Sequence, residues 1–106
     1  MDVEIKRVEG VWNADPKDPL FNGHFPGRPI LPAVATVEHA FVCLKQMLDA
    51  PQLKLVEVKS AKFASPITPN TKVKTMASEL KRNEWQIALT EAESCRELAE
   101  LHFIVC

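Results

Sequence analysis

The chain has 106 residues, of which 46% are apolar and 25% charged, and its 13 basic and 14 acidic side chains leave a formal net charge of −1. That balance is the ordinary one for a single globular domain, 1–106, and excludes a disordered tail, a collagen-like fibre and a coiled coil. It also argues against non-specific attraction to nucleic acid or anionic lipid, and no apolar run approaches the roughly 20 residues that cross a bilayer.

Val3 and Ile5 suggest a short N-terminal strand, and the charged start Met1–Gly10 does not read as a signal peptide, so a cytoplasmic protein is expected. Asp15 to Pro32 holds five of the eight prolines and two of the three glycines, Gly23 and Gly27. Proline fixes its own φ, removes a donor and pushes the preceding residue out of the helical region, so this stretch is neither helix nor central strand. Leu20, Phe21, Phe25, Ile30 and Leu31 nevertheless make it an ordered loop pinned on the core, the kind that places functional groups.

Ala33 to Ala50 reads as a helix, with Val34, Val37, Phe41, Leu44 and Leu48 at steps of three and four. Pro32 sits at its first turn and Pro51 marks its stop. Ala33, Ala35, Ala40, Val42, Cys43 and Met47 make it apolar nearly all round, which predicts a helix enclosed by other structure. Beyond it the period falls to two. Leu53 to Phe63 is a strand, Ser65 to Thr71 a turn, Lys72 to Leu80 a weaker strand and Lys81 to Glu84 a hairpin turn. Trp85, Ile87 and Leu89 alternate in one strand, and Ala99, Leu101, Phe103 and Val105 in the last. Short turns favour antiparallel pairing. One helix against an antiparallel sheet is an α+β layout.

Glu38 is the first candidate for chemistry. Val34, Phe41 and Val42 surround it at one-turn spacing, and burial would raise its pKa as a general acid requires; the alternative is a carboxylate at the edge of the apolar face, reaching water or an arginine. His24 is the second. Gly23 and Gly27 flank it, and a neutral imidazole there can act as a base; the alternative is a loop histidine bonded to a backbone carbonyl. The third is the helix start at Pro32-Ala33, where free N–H groups and the positive dipole end can hold an oxyanion. Base, acid and oxyanion donor are what proton abstraction beside a carbonyl requires. His39 and Cys43, four apart, are too few for a metal site. His102 reads as a sheet-surface residue. Arg28, Lys62, Lys72, Lys74, Lys81 and Arg82 read first as solvated sheet-edge residues, with a basic patch for an acidic partner as the alternative. Cys43, Cys95 and Cys106 lack CxxC spacing and read as free thiols, Cys43 as a buried small hydrophobe.

The run Gly23-His-Phe-Pro-Gly-Arg-Pro-Ile-Leu-Pro-Ala-Val-Ala-Thr-Val-Glu38 resembles the active-site stretch of FabZ-type 3-hydroxyacyl-[acyl-carrier-protein] dehydratases, with the acid fourteen residues after the histidine. Ala61-Lys-Phe-Ala-Ser-Pro-Ile-Thr-Pro69 is similar to a later family segment. The resemblance implies a hotdog fold, a curved antiparallel sheet wrapped around one long helix. It implies dehydration of 3-hydroxyacyl thioesters to trans-2-enoyl thioesters, with His24 as base, Glu38 as acid and the Ala33 N–H on the thioester oxygen. It implies no metal or redox cofactor, an acyl carrier protein as substrate carrier, and a homodimer whose sites take His24 and Glu38 from different chains. Ala33 stands where the family usually has Gly, and Val42 where it commonly has Gln. The brevity of the chain resembles the short dehydratase-like proteins of aryl-polyene clusters. A hotdog acyl thioesterase and a non-catalytic hotdog subunit that binds acyl carrier protein are the alternatives.

Overall fold

A computed structural model describes residues 6–21 and 29–106. The expected strand at Val3 and Ile5 and the loop around His24 lie outside the described residues. Five strands form one antiparallel sheet: β1 (Arg7–Asn13), β2 (Leu55–Phe63), β3 (Lys72–Lys81), β4 (Glu84–Glu91) and β5 (Glu97–Val105). One helix, α1 (Ala33–Met47), packs across β1 and β3, and a short 3-10 turn, Pro19–Phe21, lies in the loop before it. This is the expected α+β hotdog layout, with β1 an unexpected strand just beyond the residues expected to form one.

The strand order is β1-β3-β4-β5-β2. The meander β3–β4–β5 has the periodicity its sequence announces. Trp85, Ile87 and Leu89 are buried on one face, as are Leu101, Phe103 and Val105. The β3–β4 hairpin closes through Arg82 and Asn83, and Asn83 takes the left-handed conformation (φ 65°) that asparagine tolerates in tight turns. β2 does not pair with β3, its successor in the chain; it adds to the far side of β5. It is an edge strand, irregular in register at two places.

Pro32 precedes α1 as its N-cap, φ −61° and ψ 152°, rather than occupying its first turn, and the Thr36 N–H donates the first bond to the Pro32 carbonyl at 3.0 Å. The helix ends at Met47, short of the expected Ala50, because Asp49 enters the left-handed region (φ 49°) and Ala50 N–H turns back to Lys45 O. Its buried residues are Ala35, Thr36, Ala40, Cys43 and Leu44, mostly small, so the axis sits close to the sheet. Gly10 of β1 makes that approach possible: a Cβ there would stand 2.8 Å from Met47 Sδ and 2.9 Å from Cys43 Sγ.

Enclosure all round does not follow within one chain. Val34 is 65% exposed and Val42 44%. The large apolar residues of the expected face are split: Leu44 is buried, Val37, Phe41 and Leu48 are partly buried, and Val34 faces out. In the preceding loop, Phe21 and Leu31 anchor on the core as expected, whereas Leu20 is exposed.

Candidate active site

The helix start builds the site. Leu31 N–H is spent on Ile67 O at 2.8 Å, which ties the entry of α1 to the β2–β3 connection. Pro32 has no N–H, and Thr36 is the first helical residue whose N–H bonds back, so those of Ala33, Val34 and Ala35 have no acceptor within the helix. Ala33 is exposed and borders a cavity of about 340 Å³. Ile30, Thr36, Phe63, Ile67 and Leu98 are among the residues of its wall, which is largely apolar. Leu98 reaches it through an irregularity. Leu89 faces Ala99 while the adjacent Thr90 faces Glu97, so Leu98 is the extra residue of a bulge and turns inward beside Ala99. Strict alternation in the sequence places it on the outer face, which is why pattern alone misses it.

Glu38 is on the same helix as Ala33 but outside the cavity wall. It is exposed, not buried by its own chain as the sequence suggested. Val34, Glu38 and Val42 fall at successive four-residue steps and form one open ridge, a carboxylate between two valines. The inner face of β2 is open as well. Val58 pairs with buried Phe103 and Phe63 with buried Ala99, yet Val58 is 38% exposed and Phe63 47%. His24 lies outside the described residues.

His39 and Cys43 take separate partners. The His39 ring donates from Nε2 to Asp18 Oδ2 at 3.2 Å and stacks on Trp12, with centroids 4.9 Å apart and planes at 21°. Trp12 Nε1–H donates to the Thr75 hydroxyl at 3.0 Å. Burial pushes the Cys43 thiol above its ordinary pKa, opposed in part by its hydrogen bond with Thr75. No group of three potential metal ligands occurs among the described residues. Sequence reasoning overlooked Asp18 and Trp12; Asp18 before Pro19 is a turn former, and its Oδ1 indeed accepts the Leu20 N–H at 2.9 Å.

On the outer face of the sheet, His102 pairs with Glu84 at 3.1 Å, as befits a sheet-surface residue. Burial would raise the Glu84 pKa, but the His102 hydrogen bond and the Lys59 and Lys81 ammonium groups prevail and hold it below its ordinary value. Lys74 and Lys81 each lie within 3.9 Å of a carboxylate, on Glu9 and Glu84. Two of the six basic residues are thus paired at the sheet surface, and Arg28 lies outside the described residues.

Comparison with known proteins adds sequence and fold relatives. FabZ from Fusobacterium nucleatum, named 3-hydroxyacyl-[acyl-carrier-protein] dehydratase, is 36% identical over 75 residues, 65% of this chain and 52% of that protein. The enzyme of the same name from Rickettsia typhi is 27% identical over 107 residues, 92% of this chain and 74% of that protein. The chain thus spans about half the length of several of the curated relatives it matches. Among solved structures, the dehydratase heterocomplex ApeI:P from Xenorhabdus doucetiae aligns over 100% of this chain and 96% of its own, with TM-score 0.78 and 19% identity. A point mutant of the fluoroacetyl-CoA-specific thioesterase FlK aligns over 100% and 90%, with TM-score 0.70 and 11% identity. At such identities these likenesses show the fold alone, and the hotdog fold serves more than one chemistry. The family model described as ApeI dehydratase matches residues 1–99, and the chain belongs to this ApeI-like family of FabZ-like hotdog dehydratases.

Proposed function

We propose that the chain removes water from 3-hydroxyacyl thioesters, carried on acyl carrier protein, to give trans-2-enoyl thioesters. The His24 imidazole takes the proton from C2. The N–H of Ala33 holds the thioester oxygen as negative charge develops there. The C2 electron pair then forms the C2–C3 double bond as the C3–O bond breaks. Glu38 gives its proton to the departing hydroxyl, which leaves as water. His24 and Glu38 return to their starting states by exchange with solvent.

The observation that carries this reading is the pairing on one helix of an N-terminus with unspent N–H groups, beside an apolar cavity, and a carboxylate farther along. The family and its FabZ relatives support the same chemistry. In the reading, a second copy covers the ridge Val34–Glu38–Val42 and the open face of β2. That desolvates Glu38 and brings His24 of one protomer to Glu38 of its partner. The wild-type chain incubated with short, medium and aryl 3-hydroxyacyl carrier proteins should yield the enoyl product by mass. Release of free carrier thiol without enoyl product favours a thioesterase, and absence of any turnover favours a binding subunit. His24→Ala and Glu38→Ala, inactive singly, should recover about a quarter of the wild-type sites after co-refolding. Verified heterodimers without activity would refute the shared site.

A further inference from the structure

We infer that Asp18 and His39 are positioning residues: their side-chain pair clasps the loop leading to His24 onto the helical turn that carries Glu38. The inference rests on the dehydratase reading. Asp18 uses both carboxylate oxygens. Oδ1 accepts the Leu20 N–H at 2.9 Å and Oδ2 accepts from His39 Nε2 at 3.2 Å. Its carbonyl also accepts the Phe21 N–H at 3.1 Å, so residues 18–21 form one closed turn, sealed by buried Phe21. Phe21 is three chain steps from His24, at most about 11 Å of extended backbone, so anchoring Phe21 restricts where His24 can act.

The other half of the clasp is rigid for a different reason. His39 follows Glu38 directly, and its ring is braced on Trp12. Trp12 in turn is held by the buried Thr75. β1, α1 and the loop therefore meet at one imidazole, and β3 braces it through Trp12. The Asp18 side chain is only 16% exposed, so removing His39 leaves a largely shielded carboxylate without a partner it now has. Neither residue borders the cavity by the helix start, so neither needs to touch the substrate there to matter.

Asp18→Ala and His39→Ala should each lower kcat about 10- to 100-fold, because a misplacement near 1 Å costs that much. KM should stay within about twofold. The double variant should be no worse than either single one, since both remove the same contact. Asp18→Asn, whose carboxamide still accepts from Leu20 and can donate to neutral His39, and His39→Gln, which keeps a donor, should regain most of the activity. The amides of Leu20 and Phe21, both bonded to Asp18, should exchange hydrogen faster in the alanine variants while those of β4 and β5 do not. Unchanged exchange in folded alanine variants, losses in kcat that multiply in the double variant, or a rise in KM alone would each overturn the clasp. A wild-type chain that dehydrates no 3-hydroxyacyl thioester overturns the dehydratase reading and the clasp's catalytic role with it. The exchange measurement separates that result from a clasp that does not form.

Discussion

The meander β3–β4–β5 and the flank formed by β2 with the outer ridge of α1 are built from similar residues and end up differently. In the meander, Val73, Ile87, Leu89, Leu101 and Phe103 are wholly removed from water, and Phe41 of the helix meets Phe103 edge-on at 6.2 Å. On the flank, Val34, Val42, Val58 and Phe63 stay open although Val58 and Phe63 pair with the buried Phe103 and Ala99. The first region is complete in one chain. The second has apolar residues, a strand edge and a carboxylate that stay exposed, with no strand pairing on that edge among the described residues. A small domain has too little interior to enclose every apolar side chain it carries. Part of that surplus, Val34, Val42, Val58 and Phe63, falls on the flank that bears Glu38, and in the proposed function assembly and chemistry share that surface.

The largest effect that would sharpen this contrast is at Glu38. Glu38→Gln should cost about 10²- to 10⁴-fold in dehydration. As an exposed residue it should leave the unfolding midpoint nearly unchanged, within about 0.5 kcal/mol. Parallel activity and denaturation measurements decide it. Equal losses in both would assign Glu38 to the closed region instead.

Next comes a matched pair on one strand contact. Phe103→Ala should destabilise the fold by about 3–5 kcal/mol in urea titrations. Val58→Lys, at the residue opposite, should leave the secondary structure intact and shift the sedimentation profile to the single chain. If both variants unfold the protein, the flank is not open. A smaller effect is expected at Gly10→Ala, where a methyl group would meet Met47 and Cys43. Overpacking of this kind costs about 1–3 kcal/mol. The flexible Met47 side chain can yield and the short Cys43 side chain cannot, so Met47→Ala in the same chain should recover part of the loss.

The smallest effect is a pH dependence on the outer face. The folded Glu84 pKa is held below its ordinary value. Its contribution is therefore present above the unfolded glutamate pKa and is lost as pH falls through the depressed folded pKa. Glu84→Gln should lower the thermal midpoint slightly at neutral pH, where the contribution is present, and hardly at all in acid, where it is already lost, so that the acid limb flattens. An unaltered acid limb would show that the His102, Lys59 and Lys81 contacts do not persist in solution.

The strands β4 and β5, their hairpins and the start of α1 are legible in the sequence because each depends on neighbours along the chain. A period of two, an asparagine turn and a proline before a run of small apolar residues act over a few positions. The motif from Gly23 to Glu38 is legible for the same reason, being a fixed spacing in one segment. What the sequence could not decide is which surfaces meet. β2 passes its successor and pairs with β5, because β1 and β4 occupy both edges of β3. The helix turns its small side, Ala35, Ala40 and Cys43, to the sheet, since Gly10 opens room for close approach there. That rotation sends Val34, Glu38 and Val42 outward, against the reading that an apolar helix buries its acid. The bulge at Leu98 and the contact of His39 with Asp18, 21 residues away, likewise come from tertiary pairing. Periodicity identifies an apolar side chain, but only the assembled sheet determines whether anything remains to cover it.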